Sequence, residues 1–169
     1  MKIKDLPRPE VYTKKTFFSL LMSRYATGVT PELITRFEGD PGTKRNTWKG
    51  DAGWLGIDEW RTSTLGDGSN GTTSIYQNNA LVWEMQYGGS YPKRVIPFLR
   101  QALLLNYSKN SWHGGRGPKK YSDGNYRYFN DIVDGKEFAW FDGIETIEEC
   151  VDGTWQRVGA HYYGGGYLY

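Results

Sequence analysis

The chain has 169 residues, 24% of them charged, and a formal net charge of +2. Its one cysteine, Cys150, excludes an internal disulfide, and no apolar run approaches the roughly 20 residues that a membrane span needs. The first residues contain no hydrophobic segment of the signal-peptide type. We therefore expect one cytoplasmic domain with no membrane association.

Aromatic residues and glycines are abundant, with 7 Trp, 13 Tyr, 7 Phe and 22 Gly. Because aliphatic residues are few, the core must rely on aromatic rings, and the polar tips of Tyr and Trp need partners. Some of these rings should therefore lie at the surface or line a cleft.

The first half of the chain predicts an arm, a helix and several strands. Prolines indicate an extended arm, and apolar residues at helical spacing then predict an amphipathic helix. The predicted segments are an arm over residues 1–12, a helix from 13 or 14 to about 26, and strands over 33–38, 53–65 and 74–87. Asn78-Asn79 could divide the last segment into a hairpin.

The second half predicts a helix, a glycine-rich loop and three strands. Apolar residues from Val95 to Tyr107 mark the helix, with Pro97 tolerated in its first turn. The loop covers residues 112–120, and the strands cover 126–133, 137–149 and 154–162. Asp134-Gly135 and Asp152-Gly153 between these strands are typical hairpin turns.

Two short motifs occur twice along the chain. Residues 54–58 (Trp-Leu-Gly-Ile-Asp) return as residues 141–145 (Phe-Asp-Gly-Ile-Glu), and the segments 82–89 and 158–165 both end in Tyr-Gly-Gly. Two copies are too few for a solenoid, which needs roughly three or more repeats. They suit a single domain with two similar halves around a shared core.

These patterns predict an α+β fold. The single domain would cover residues 13–169 and consist of two pseudo-repeats, 13–91 and 92–169. Each would be a helix followed by about three antiparallel strands, and the two helices would pack on the sheet.

The motifs resemble those of a bacterial family of uncharacterised domains. That family carries aromatic-x-Gly-x-Glu, a Trp-x-Met-x-Tyr-x-Gly-like strand, Arg-Gly-Pro, and a second aromatic-x-Gly-x-Glu with Tyr-x-Gly-Gly. The matching segments are residues 54–58, 83–88, 116–118, 141–145 and 162–165, with Asp58 in place of the usual Glu. The resemblance implies a domain like those fused to helix-turn-helix repressors, where ligand sensing is a natural role.

Charge is unevenly distributed along the second half. Residues 92–127 contain eight basic residues and one acid, whereas residues 128–153 contain eight acids and one lysine. Such polarity can attract an anionic ligand to one face. Alternatively, the two blocks lie side by side and neutralise each other within a monomer or across a homodimer.

The loop 112–120 is the most suggestive segment for ligand chemistry. Consecutive glycines let backbone N–H groups converge, and Arg116, Lys119 and Lys120 can bind a phosphate or carboxylate. Trp112 could stack on a base or ribose. The alternative is an exposed connector between a helix and a strand.

Asp58 and Glu145 occupy matching positions in the repeated motif. They could act as an acid and base pair across a cleft, contact a ligand, or serve only to stabilise turns and strands. His113 and His161 are the only histidines, and with one cysteine they cannot form a typical structural zinc site. The sequence contains no motif for a metal or another cofactor.

The leading hypothesis is a non-enzymatic binding module for a small anionic, nucleotide-like ligand, such as a phage-type sponge that sequesters a signalling nucleotide. The alternatives are a carboxylate-dependent hydrolase acting on a nucleotide or sugar, and a protein-interaction or oligomer-forming module. Nucleic-acid binding ranks lower, because an equal acidic block offsets the basic one. The predicted ligand-binding residues are Trp83, Tyr87, Trp112, His113, Arg116, Lys119, Lys120, Glu145, His161 and Tyr163.

Overall fold

The computed structural model describes residues 9–168 as two helices packed on one antiparallel sheet. The helices are α1 (Pro9–Ser23) and α2 (Ile96–Tyr107), the second preceded by a short 3-10 turn, Lys93–Val95. The strands are β1 (Glu32–Ile34), β2 (Thr43–Lys49), β3 (Trp54–Thr62), β4 (Gly68–Gln77), β5 (Ala80–Ser90), β6 (Lys120–Asp123), β7 (Tyr126–Glu137), β8 (Trp140–Val151) and β9 (Thr154–Tyr167).

The sheet is formed by two meanders that meet at its centre. The strand order is β1-β2-β3-β4-β5-β9-β8-β7-β6, and every neighbouring pair is antiparallel. The last strand of each meander, β5 and β9, forms the central pair, with Tyr87 opposite Tyr163. The middle of the sheet is therefore formed by long strands, and the short strands β1 and β6 lie at its two edges.

Both helices cover the same face of the sheet, and aromatic rings fill the space between. Phe17 of α1 packs edge-on against Trp83 of β5 and Tyr107 of α2, with ring centroids 5.3 and 6.2 Å apart. Trp83 stacks on Phe138 at 4.6 Å, and its indole N–H donates to the Phe138 carbonyl oxygen at 2.8 Å. The core thus relies on aromatic residues, as the composition indicated.

The predicted α+β fold, with a helix followed by about three antiparallel strands in each half, is wrong. The molecule is largely β, with one nine-stranded sheet and two short helices in the described residues. The prediction lacked β2 and β6, because both carry mainly polar residues without a clear apolar alternation. Hydrogen bonds to the neighbouring strands, rather than side-chain burial alone, hold these segments in the sheet.

Several element boundaries also differ from prediction. Helix α1 begins at Pro9, inside the predicted extended arm, and residues 1–8 lie outside the described part. Asp134-Gly135 is not a hairpin turn: it lies within β7 at shifts of the register, and the chain turns later, between β7 and β8. The turns at Asn78-Asn79 and Asp152-Gly153 are confirmed, with positive φ at all four residues.

The repeated aromatic-x-Gly-Ile-acid motifs do not occupy equivalent positions. The first motif lies in β3, which is separated from the central strand β5 by β4. The second motif lies in β8, directly beside the central strand β9. Asp58 lies between Asn46 and Thr73 along one cross-strand row, while Glu145 lies between Asn130 and His161 along another. By strand order Asn130, not Glu145, is the counterpart of Asp58.

Candidate functional site

The glycine-rich loop after α2 is folded onto the covered face of the sheet. A Cβ at Gly115 would lie 2.5 Å from the Tyr163 hydroxyl oxygen, and a Cβ at Gly117 would lie 2.1 Å from that of Tyr128. Only glycine permits so close an approach at these positions. The glycines thus bring the intervening Arg116 into the protein interior rather than forming an exposed anion cradle.

Arg116 and Glu145 form a buried ion pair beneath the two helices. Arg116 is 5% exposed and Glu145 is 0% exposed, and the guanidinium Nη2 donates to Glu145 Oε1. The Tyr128 hydroxyl donates to Glu145 Oε2 at 2.9 Å. The Arg116 Nε has no hydrogen-bond partner among the residues that the structure describes. The pair therefore anchors the loop, and the Arg116 Nε–H is left without a partner in the described part of the chain.

His161 lies beside this pair on β9 and is 5% exposed. Its Nε2 is 3.3 Å from the Ser69 hydroxyl oxygen, and its Nδ1 is 4.0 Å from Glu145 Oε1. The Tyr91 ring stacks on the imidazole with centroids 4.4 Å apart. Burial and the Arg116 charge lower the pKa of His161 to about 4, against the opposing effect of Glu145. The imidazole is therefore neutral at physiological pH.

Asp58 is a second buried carboxyl group, 2% exposed. The hydroxyl groups of Thr73 and Tyr87 both donate to its Oδ1, each at 2.9 Å. Burial raises the pKa of Asp58, although the two hydrogen bonds act in the opposite direction. Its described contacts give Asp58 a role in fixing the position of Tyr87.

A tyrosine crosses a glycine in the same way on both sides of the central strand pair. Tyr87 reaches over Gly71 to Asp58, and Tyr163 reaches over Gly143 to the side-chain oxygen of Asn130. A Cβ at either glycine would clash with the tyrosine that passes over it. These paired contacts fix the rings flat on the sheet, at the floor of the covered face.

A partly enclosed cavity of about 430 Å³ opens above this floor. The cationic side chains that line it are Lys44, Lys93, Arg100 and Arg116, and the lining carboxylate is Asp67. Aromatic and imidazole rings complete its wall: Tyr25, Trp60, Tyr87, Tyr91 and His161. The cavity thus combines positive charge with flat apolar surfaces.

Two of the cavity's cationic side chains, Arg100 and Arg116, each have a buried nitrogen without a described hydrogen-bond partner. The Arg100 guanidinium lies 5.6 Å from the Tyr25 ring centroid, and its Nε has no hydrogen-bond partner within residues 9–168. Arg116 lies 4.8 Å from the Tyr87 ring centroid. Donors held in this way against aromatic rings can bind an anionic or carbonyl oxygen without first losing a protein partner.

The structure brings some of the predicted site residues together and separates others. Tyr87, Arg116 and His161 line the cavity, and Glu145 lies next to it through its contact with Arg116. Trp83, Trp112 and Tyr163 belong to the aromatic core or pack against it. The remaining predicted residues lie elsewhere: His113 in the folded loop, and Lys119 and Lys120 exposed near the β6 edge.

Sequence reasoning missed other residues of the cavity, notably Tyr25, Lys44, Trp60, Ser69, Tyr91 and Arg100. They come from the turn after α1, from β2, β3, β4 and α2, and from the segment after β5, so no local spacing connects them. The only sequence signal was the abundance of Tyr and Trp, which predicted rings in a cleft but not which ones.

The two oppositely charged blocks of the second half lie against each other. Arg94 pairs with Glu149 at 2.9 Å, and Arg116 and Arg127 pair with Glu145 and Glu148. This arrangement follows from the adjacency of β7 and β8 and the packing of α2 near them. The positive charge of the cavity therefore depends also on Lys44, which lies outside the basic block.

A larger and more open depression, of about 660 Å³, lies on the uncovered face of the sheet. Glu59 and Arg61 line it. Glu59 pairs with Arg45 at 2.6 Å, and Arg61 donates to Thr43 at 2.7 Å but keeps Nη2 without a described partner. The cavity under the helices is the better candidate site, because three buried nitrogens without described partners, at Arg100, Arg116 and His161, belong to its lining, against one in the open depression.

The chain belongs to the DUF5680 family, a domain of unknown function, which matches residues 67–168. This range contains β4 to β9 and α2, and with them Ser69, Arg100, Arg116, Glu145 and His161. No curated protein and no solved structure matches the chain. Within residues 9–168 no helix is long and apolar enough to cross a membrane, and no cluster of three or more metal-ligating His, Cys, Asp or Glu side chains occurs.

Proposed function

We propose that this protein is a non-enzymatic binding module for a small anionic, nucleotide-like ligand, held in the cavity between the helices and the sheet. The observation that supports it most directly is the convergence of four cationic side chains and five flat rings on one cavity of about 430 Å³. That volume lies within the roughly 300–1,000 Å³ of typical small-molecule sites.

The charges at the cavity suit a phosphate or carboxylate group. Lys44, Lys93 and Arg100 line it together with Asp67, and the charge of Arg116 is balanced by Glu145 beneath. An anion bound there would receive charge-assisted hydrogen bonds, which are stronger than neutral ones. We place the anionic group at Arg100, whose Nε lacks a partner in the described residues.

The rings of the cavity suit a planar group. Tyr25 and Trp60 meet edge to face with centroids 5.8 Å apart, and the stacked Tyr91 and His161 rings lie on the sheet side. Aromatic faces of this kind bind a base by stacking. The neutral His161 adds a hydrogen-bonding group without adding charge.

The carboxylate-dependent hydrolase is less well supported by the geometry. Asp58 accepts hydrogen bonds from Thr73 and Tyr87, and Glu145 accepts them from Arg116 and Tyr128. Neither carboxyl group is among the residues that line the cavity. Both therefore serve the architecture of the floor rather than face a substrate.

The test is a thermal-shift screen against linear and cyclic nucleotides, ADP-ribose derivatives and sugar phosphates, with each hit recovered after denaturation and identified by mass. A nucleotide-like anion should raise the melting temperature and be recovered intact. The Arg100→Gln variant should bind it at least tenfold more weakly, a loss of about 1.4 kcal/mol or more.

Arg24→Gln is the matched control, because Arg24 is exposed and does not line the cavity. It removes the same charge and should bind like the wild type. Equal weakening in both variants would mean that net charge, not the cavity, attracts the ligand. If no anion in the screen raised the melting temperature of the protein, this would count against the proposed function and favour a protein-interaction role.

A further inference from the structure

A serine, a histidine and a carboxylate lie on one row of the sheet, the first two at the floor of the cavity and the carboxylate beside it. Ser69 of β4 lies opposite Gly89 of β5, Gly89 lies opposite His161 of β9, and His161 lies opposite Glu145 of β8. The three side chains therefore come from three strands but point to the same covered face.

Gly89 allows the histidine to reach the serine. A Cβ at this position would lie 2.8 Å from the His161 Cδ2 and 2.0 Å from the Ala160 carbonyl oxygen. Because Gly89 has no side chain, the imidazole passes over β5 and places its Nε2 3.3 Å from the Ser69 hydroxyl oxygen.

The second imidazole nitrogen faces Glu145. Nδ1 is 4.0 Å from Oε1 and has no hydrogen-bond partner in the described part of the chain. Contacts of this type are often longer in the absence of substrate and shorten when one binds. Tyr91 stacks on the His161 ring and donates a hydrogen bond from its hydroxyl group to the Glu145 backbone carbonyl oxygen at 3.2 Å. Tyr91 therefore contacts both His161 and Glu145.

From this geometry we propose that Ser69, His161 and Glu145 form a nucleophilic relay that hydrolyses small carboxylic esters entering the cavity. Ser69 and His161 both line the cavity, so a substrate there has access to the serine hydroxyl. Serine as nucleophile, histidine as base and a buried acid as orienting group form the arrangement used for acyl transfer on unrelated folds.

In the proposed reaction, Ser69 Oγ forms a bond to the ester carbonyl carbon while its proton moves to His161 Nε2. The bond from that carbon to the leaving oxygen then breaks, and His161 gives the proton to the departing alcohol. Water attacks the resulting acyl-serine in the same way and releases the carboxylic acid. Glu145 is a positioning residue: its carboxylate, 4.0 Å from Nδ1, favours the tautomer in which Nδ1 carries the proton and Nε2 accepts the proton of Ser69.

This activity goes beyond the proposed binding function. The module is non-enzymatic towards nucleotide-like anions, whereas the relay acts on a different class of ligand, carboxylic esters, in the same cavity. The relay attacks an acyl carbon, so phosphate-containing ligands are still expected to be recovered intact. We expect slow turnover, because the buried imidazole next to Arg116 is a weaker base than an exposed one.

The experiment is labelling of the whole protein with a fluorophosphonate probe, followed by intact mass measurement and peptide mapping, together with a p-nitrophenyl acetate assay. One label should be found on Ser69, and Ser69→Ala should abolish both labelling and ester hydrolysis. His161→Asn should slow labelling by roughly a hundredfold or more, as expected on losing a general base.

Ser108→Ala is the control for general serine reactivity. Ser108 is exposed after α2 and does not line the cavity, and its hydroxyl donates to the Leu105 carbonyl oxygen at 3.1 Å. This variant should be labelled like the wild type. Circular dichroism and melting temperature should show that Ser69→Ala is folded.

An unlabelled wild-type protein, or ester hydrolysis that continues in Ser69→Ala, would overturn the relay. The Ser69–His161 contact would then be a structural link between β4 and β9. The anion screen gives an independent result, because loss of labelling does not alter the shift caused by a bound anion, and absence of that shift does not prevent labelling.

Discussion

At the scale of single residues, the Arg116–Glu145 pair has the greatest energetic consequence. Both charges are removed from water, so each depends on the other and on the Tyr128 hydrogen bond. Breaking a buried pair by removing one partner costs far more than replacing both, since the remaining charge is left uncompensated.

We therefore expect Arg116→Met to lower the free energy of unfolding by about 3–5 kcal/mol, because Glu145 would stay buried without its cation. The double variant Arg116→Met/Glu145→Gln should recover much of this loss, since Gln can still accept the hydrogen bond from Tyr128. Urea denaturation of the single and double variants measures both values.

Arg94→Met provides the comparison for an exposed pair, because Arg94 binds Glu149 at the surface. Its loss should cost less than about 1 kcal/mol. If Arg116→Met also cost less than about 1 kcal/mol, the Glu145 carboxyl group would have to be solvated or neutral in the folded protein. Arg116 and Glu145 would then not be a buried ion pair.

At the scale of elements, the glycine-rich loop requires glycine because it packs closely against tyrosine side chains, not because it must be flexible. Gly115 and Gly117 lie against Tyr163 and Tyr128, and the Asn106 side chain of α2 donates to the Arg116 carbonyl oxygen at 3.0 Å. The loop is thus held between helix and sheet, which determines where the Arg116 side chain enters.

Gly117→Ala should destabilise the protein by about 1–3 kcal/mol, as overpacking of a filled interior generally does. The new methyl group would displace the Tyr128 hydroxyl, which is the donor to Glu145. Thermal unfolding compared with the wild type measures the effect.

Gly66→Ala is the control, since a Cβ there meets no atom within 4 Å. Its stability should stay within about 0.5 kcal/mol of the wild type, as is usual for a surface change. Similar losses in both variants would indicate that the backbone freedom of glycine, not the contact with Tyr128, is what matters at Gly117.

At the scale of the whole molecule, stability should depend on pH through His161. Burial lowers its folded pKa to about 4, whereas the ordinary value is 6.5. Between these values the unfolded chain binds the proton and the folded protein does not, so stability falls as pH decreases from 6.5 towards 4. The full effect is on the order of 3 kcal/mol.

The groups described against His161 are Ser69 of β4, Tyr87 of β5, Tyr91 after β5, Glu145 of β8 and Arg116 of the loop. Chemical denaturation of the wild type and of His161→Asn across this pH range isolates the contribution of this residue, because the variant cannot titrate there. The difference in unfolding free energy should decrease with falling pH. A difference independent of pH would contradict the lowered pKa.

The sequence by itself determined the local features of this protein. Helical spacing located the cores of α1 and α2, although α1 begins earlier than expected, and the turn residues Asn78-Asn79 and Asp152-Gly153 gave two hairpins. Composition also indicated that the core would be aromatic. These features are readable because they depend on the conformational preferences and burial of residues close together in the chain.

Only the tertiary structure decided the strand order and the site. The meeting of β5 and β9 at the centre makes the sheet continuous, and it places the repeated acidic motifs on strands that are not equivalent. It also brings Ser69, His161 and Glu145 into one row and Arg100 and Arg116 into one cavity. These residues are far apart in the chain, and their proximity follows from hydrogen bonding and packing between distant strands, which no local pattern encodes.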